Sequence, residues 1–114
     1  MAGAMKINWW KWLPFQRWRI VGTASSADEV PDTLPRNGVA LVGSPNHLKW
    51  IIFDCPCRTG HRIMLNADAG RRPVWSLRSS RPLTIHPSID FRGDRMRCHY
   101  FIREGRIIWT RDRD

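Results

Sequence analysis

A chain of 114 residues and 13.4 kDa has room for one modest core, hiding roughly 60–70% of its unfolded surface on folding. With 42% apolar and 25% charged residues the composition excludes wholesale disorder, and no apolar run nears the ~18 residues of a membrane-spanning helix. Nineteen Lys and Arg against ten Asp and Glu leave +9, which favours an acidic partner without naming one. Three cysteines are too few and odd in number for a disulfide scaffold. Met1–Lys6 lacks the apolar segment of a secretory signal, so a cytoplasmic location is expected.

Three stretches differ in texture. Residues 1–22 hold Trp9, Trp10, Trp12, Trp18 and Phe15 among Lys6, Lys11, Arg17 and Arg19, with no acid between them. Rings beside cations suit docking to a partner, a membrane surface or nucleic acid; they equally suit a segment that folds back and caps the domain. Residues 23–37 are small, polar and proline-punctuated, an irregular connection with one helical turn expected from Ser26. From 38 to 114 the pattern is strand, turn, strand. Val39–Val42, Leu48–Phe53, His61–Leu65, Val74–Leu77 and Leu83–Ile85 are short apolar runs bounded by Gly, Pro, Asn or Ser. Cys98–Arg103 and Arg106–Trp109 flank Glu104-Gly105, which predicts a tight hairpin with Gly105 at positive φ. The expected fold is mainly β: a single small antiparallel domain with an irregular aromatic-rich N-terminal segment.

Two constellations carry chemistry. Cys55-Pro-Cys57, His61 and Cys98 offer three thiols and an imidazole, the donors that staple small β domains around zinc. The C-x-C spacing departs from the usual C-x2-C, and the bland reading is three buried, reduced cysteines. In the second, Ser88 follows Pro87 at the end of a strand and His99 lies on the next one. If Phe91–Arg97 loops back, the imidazole meets the hydroxyl, as a Ser–His pair requires. Asp90 and Asp54 are the nearest acids able to orient His99, and His86 competes as base. Arginines crowd the β region, yet no RNP-type or helix-turn-helix signature supports nucleic acid, which ranks third among partners.

The blocks Cys55-Pro-Cys57-x-x-Gly60-His61, Trp75-x-Leu77, Leu83-Thr-Ile-His-Pro87-Ser88-Ile89 and Cys98-His99-Tyr-Phe-Ile-x-x-Gly105-x-Ile-x-Trp109 resemble, over about residues 30–109, a small bacterial family encoded in Bub-type ubiquitin-like conjugation operons. The resemblance implies a serine-type protease or isopeptidase that matures a ubiquitin-like modifier or removes it from targets, with Ser88 as nucleophile and His99 as base. Backbone N–H groups of Ile89 and Asp90 are then candidate oxyanion donors, and Trp75, Arg71, Arg72, Arg78 and Arg81 candidate substrate contacts. Partners are the modifier, its conjugates and the activating and conjugating enzymes. No cofactor is required; a zinc on Cys55, Cys57, His61 and Cys98 would be structural. This chain departs from its relatives at Arg58, Thr59 and Thr110, where they often carry Gly, Cys and Cys, which depletes any larger metal site. A cysteine nucleophile at Cys55 or Cys57 stays open, as does a noncatalytic, zinc-stapled adaptor.

Overall fold

In the computed structural model the described residues are 17–57, 60–93 and 96–110, so most of the tryptophan-rich segment (Trp9, Trp10, Trp12 and Phe15 among it) lies outside them. The β-branched and aromatic runs fold as strands where turn residues bound them. One sheet holds β1 (Arg19–Ala24), β2 (Gly38–Ser44), β3 (His47–Asp54) and β4 (Arg62–Asn66), in that spatial order. The other holds β5 (Ser76–Ser80), β6 (Leu83–Arg92), β7 (Arg97–Arg103) and β8 (Arg106–Trp109), also in order. The mainly β, largely antiparallel expectation is met, with one exception. β1 and β2 run parallel, and a parallel pair needs a connection of a dozen or more residues. Residues 25–37 supply it, carrying a single 3-10 turn at Ala27–Glu29, where Glu29 Oε1 accepts from the Ser25 and Ser26 N–H groups. The sheet therefore begins ahead of residue 38, and β1 runs across the 22/23 change in texture. No helix among the described residues is long and apolar enough to cross a membrane.

The core lies between the sheets. Val39, Ile51, Phe53, Ile63 and Leu65 of the first meet Leu83, Ile85, Ile89, Tyr100 and Ile102 of the second. Residues 25–37 cover the opposite face of the first sheet, where Val30 and Leu34 pack with Val21, Ala40, Val42 and Ile52. With both faces buried, β3 is apolar without alternation at Ile51-Ile-Phe53. β7, with one face in water, alternates cleanly: Cys98, Tyr100 and Ile102 point in.

Two strands differ from the sequence expectation. β5 starts two residues later than Val74, because Val74 and Trp75 belong to a loop wound around Asn66 (below). β6 continues through Pro87 to Arg92, so Phe91 and Arg92 are strand rather than loop. Proline lacks the donor that a regular ladder needs. It is accommodated because the pairing with β7 is irregular between Ile85 and Ile89.

The Glu104-Gly105 turn forms as expected, with φ of 53° and 76°, the two positive values of the favoured hairpin turn. It also joins the sheets. Gly105 N–H donates to Leu83 C=O and Gly105 C=O accepts from Trp18 N–H, both at 2.8 Å, while the buried Trp18 ring stands edge-on to Phe53. Of the aromatic N-terminal segment, Trp18 thus caps the core. A Cβ at Gly105 would lie 2.9 Å from Arg17 Cβ and 3.2 Å from Trp18 O. Gly105→Ala is expected to cost about 1–2 kcal/mol from the left-handed backbone alone, read as a lower urea midpoint at unchanged m.

Candidate active site

The irregularity in β6 lifts residues 86–88 out of the ladder with β7, and Ser88 emerges half-buried on the outer face of its sheet. Because β7 alternates, Cys98 points into the core and His99 points out. Ser88 Oγ lies 2.9 Å from His99 Nε2, hydrogen-bond distance for a hydroxyl and an imidazole. The His99 ring stacks beside Phe101, centroids 6.5 Å apart. His99 C=O accepts from both the N–H and the hydroxyl of Thr110, at 3.0 and 3.2 Å. In the sequence Thr110 stands out only as a departure from the relatives; its hold on the His99 carbonyl is not legible there.

The acids are differently placed. Asp90 is the cross-strand partner of His99, but its carboxylate takes two parallel bonds from Arg97, each 3.0 Å, with Arg92 at 3.6 Å. Arg97 above all holds the Asp90 carboxyl below the ordinary carboxylate range. Asp54 is bound by Arg62 at 2.8 Å, which also donates to the carbonyls of Pro31 and Asp32. The geometry thus ties both carboxylates to arginines. A lowered folded value means Asp90 favours the native state above its unfolded pKa, and this contribution is lost as pH falls through the folded value. Asp90→Asn should flatten the wild-type fall in urea midpoint below about pH 4 and leave the neutral-pH slope unchanged.

Trp75 stands beside Ser88. Its indole N–H donates to Ser88 C=O at 3.1 Å and its backbone N–H to Asn66 C=O at 2.8 Å. Asn66 builds the loop that delivers it: its amide donates to the carbonyls of Asp68, Arg71 and Pro73, and its side-chain oxygen accepts from Asp68 N–H. Sequence reading passed over Asn66, although Asn66-Ala-Asp68 is a turn-forming signal. Arg71, Arg72, Arg78 and Arg81 are exposed, spread over this loop, β5 and the β5–β6 turn. Between the two candidate oxyanion donors the ladder distinguishes. Gly93 N–H bonds Met96 C=O, so odd positions of β6 face β7 and Ile89 N–H is turned to Tyr100, whereas Asp90 N–H points away from β7.

Cys55, Cys57, His61 and Cys98 come together, their ligand atoms all within 4.8 Å of one another. Three come from the β3–β4 connection and one from β7, so the cluster spans both sheets. Cys57 Sγ and His61 Nδ1 are 3.3 Å apart, close to the edge of roughly 3.5–3.8 Å in a tetrahedron with metal–sulfur bonds of ~2.3 Å. Tyr100 O–H donates to Cys55 Sγ at 3.3 Å, an outer contact of the kind that steadies a ligand. The His61 ring lies against Phe91 at 3.9 Å. This Cys3His set could hold a metal ion. Without one, burial pushes the Cys55 thiol up and the Cys98 thiol to about 12, the opposite of an activated cysteine nucleophile.

Residues 26–110 match the family described as bacterial ubiquitination-like system serine protease (BubE). The chain belongs to this family. The BubE match takes in every strand from β2 to β8, the Ser88–His99 pair and all four candidate metal ligands. No curated protein and no solved structure matches the chain.

Proposed function

We propose that this BubE protein is a serine protease or isopeptidase that cuts at the C-terminus of a ubiquitin-like protein, maturing a precursor or releasing the modifier from a conjugate. The observation that carries the reading is the 2.9 Å contact between Ser88 Oγ and His99 Nε2 in a chain of a serine protease family. His99 takes the Ser88 proton as Oγ bonds to the scissile carbonyl carbon, and the carbonyl electrons move to oxygen. As the tetrahedral species collapses, the bond to the leaving amine breaks and His99 gives that amine the proton, leaving an ester on Ser88. Water then attacks the ester, His99 accepts its proton and returns it to Oγ, and the modifier leaves with a free carboxylate. Asp90 N–H, unengaged by β7, is the favoured donor to the oxyanion. Partners follow from this reading: the modifier, its conjugates, and the activating and conjugating enzymes, met in the cytoplasm.

Zinc suits the Cys3His set best. With four protein ligands and no open position, it would serve the fold rather than the reaction. Cys55, Cys57 and His61 would hold it from one sheet and Cys98 from the other, directly behind His99. No step of the cleavage runs through it.

The test joins two readouts. A ubiquitin-like protein of such a bacterial system, fused at its C-terminus to a fluorescent reporter, is incubated with the protein and the new termini are read by mass. In parallel, a fluorophosphonate is reacted with the protein and the modified peptide sequenced. Cleavage at the modifier's terminus together with an adduct on Ser88 is expected. Cleavage without an adduct on Ser88, or an adduct elsewhere that abolishes cleavage, would sink the assignment.

A further inference from the structure

Two strand edges beside Ser88 lack a partner strand among the described residues. In the ladder between β3 and β4, Cys55 N–H donates to His61 C=O and Ala67 N–H to Lys49 C=O. Odd positions of β4 therefore face β3, and alternation turns the main-chain groups of Arg62, Met64 and Asn66 outward. Asn66 C=O confirms the direction by accepting from Trp75 N–H. In β6 the same parity turns Ser88, Asp90 and Arg92 away from β7, and Ser88 C=O accepts the Trp75 indole N–H. β5 covers only the Leu83–His86 half of β6.

Trp75 thus bridges both open edges at one point. Beyond it, the outward groups of Met64 and Arg62 line one wall, and those of Asp90 and Arg92 are on the other strand. Between the strands is a cleft of about 220 Å³ lined by Arg62, Met64, Leu65, Trp75, Ile89 and Asp90 among others. Met64 is 47% exposed there.

We propose that this cleft seats an extended peptide as an added strand between β4 and β6, the peptide being the C-terminal tail of the ubiquitin-like protein. The inference rests on the protease reading above and names how its substrate is held. Outward-facing N–H and C=O groups on two edges are matched by a main chain, which offers both kinds of group on both sides. Trp75 closes the end beside Ser88, so the tail enters from the Arg62 and Arg92 side and its last carbonyl stops at the nucleophile. A folded body cannot enter; an unfolded tail can. Arg92, with 70% of its side chain exposed, and the chain's +9 favour an acidic partner outside the cleft.

Met64→Pro removes one outward N–H and leaves the bonds to β3 intact, a placement that edge strands tolerate. Cleavage of the reporter fusion should then show KM raised at least about tenfold with kcat within about twofold, the signature of lost uniform binding. Fluorophosphonate labelling of Ser88 should keep its wild-type rate, and Met64→Ala, which loses the side chain but retains the N–H, should raise KM by less than Met64→Pro does. A folded Met64→Pro protein with wild-type KM overturns the proposal. Should that variant unfold, amide exchange decides: in Ser88→Ala protein saturated with the fusion, the amides of Arg62, Met64, Asp90 and Arg92 should slow at least about tenfold, and unchanged rates overturn it. Wild-type protein that neither cleaves the fusion nor labels at Ser88 removes the protease reading itself, a result independent of Met64.

Discussion

Ser88→Ala and His99→Ala are each expected to lower kcat for the modifier–reporter fusion by at least about 10³-fold, some 4 kcal/mol of transition-state stabilisation. Both groups serve one proton transfer at 2.9 Å, so the double variant should fall no further than either single one. Neither side chain belongs to the core, and Ser88 carries no ladder position of its own. The variants should therefore melt within a few degrees of wild type and bind the fusion with unchanged affinity. Asp90→Asn should cost kcat less than about tenfold, because its carboxylate is already committed to Arg97 through two bonds. Loss of activity in Asp90→Asn as deep as in His99→Ala would instead make Asp90 the group that orients the imidazole. Ser88→Ala at wild-type kcat would move the nucleophile elsewhere.

The second large effect is on stability. Cys55, Cys57 and His61 lie on the β3–β4 connection and Cys98 on β7, with their ligand atoms inside 4.8 Å, so a metal there ties one sheet to the other. Purified protein should carry about one equivalent of zinc. Stripping it with a chelator should lower Tm by roughly 10–20 °C, corresponding to a few kcal/mol in a domain this size. Cys98→Ser should be the most damaging single change, since among the described residues it removes the only ligand from the second sheet. Activity should fall with the metal, because Cys98 and His99 are neighbours on β7, and should return when zinc is restored. Protein that purifies free of metal, with a Tm indifferent to chelator, would leave the four side chains as a reduced thiol cluster.

Local chemistry made much of this legible in the sequence. The Glu104-Gly105 hairpin, the short β runs and the helical turn near Ser26 each depend on residues adjacent in the chain. A hairpin return predicts the Ser88–His99 pair, and the two lie within hydrogen-bond distance although the return is tighter than a Phe91–Arg97 loop. What was not legible depends on residues far apart. The parallel pairing of β1 leaves no local mark. The extension of β6 through Pro87 hides behind a residue that normally ends strands. The acids illustrate the same limit: Asp90 and Asp54 are close to the site in sequence, and the fold adds an arginine to each, Arg97 to the one and Arg62 to the other. Trp75 is implied as a substrate contact by the resemblance, and Asn66, which carries it to Ser88, stands out in the sequence only as a turn former because its partners are backbone carbonyls.

Ser88 stands half-buried on an outer sheet face rather than at the bottom of an enclosed pocket. An ester formed there is open to bulk solvent on the side away from the cleft, and water outnumbers any competing amine. The acyl intermediate would then partition to the carboxylate rather than to a new amide, so traffic through the site runs one way. On the proposed reading, a modifier released here could rejoin a target only by being activated afresh.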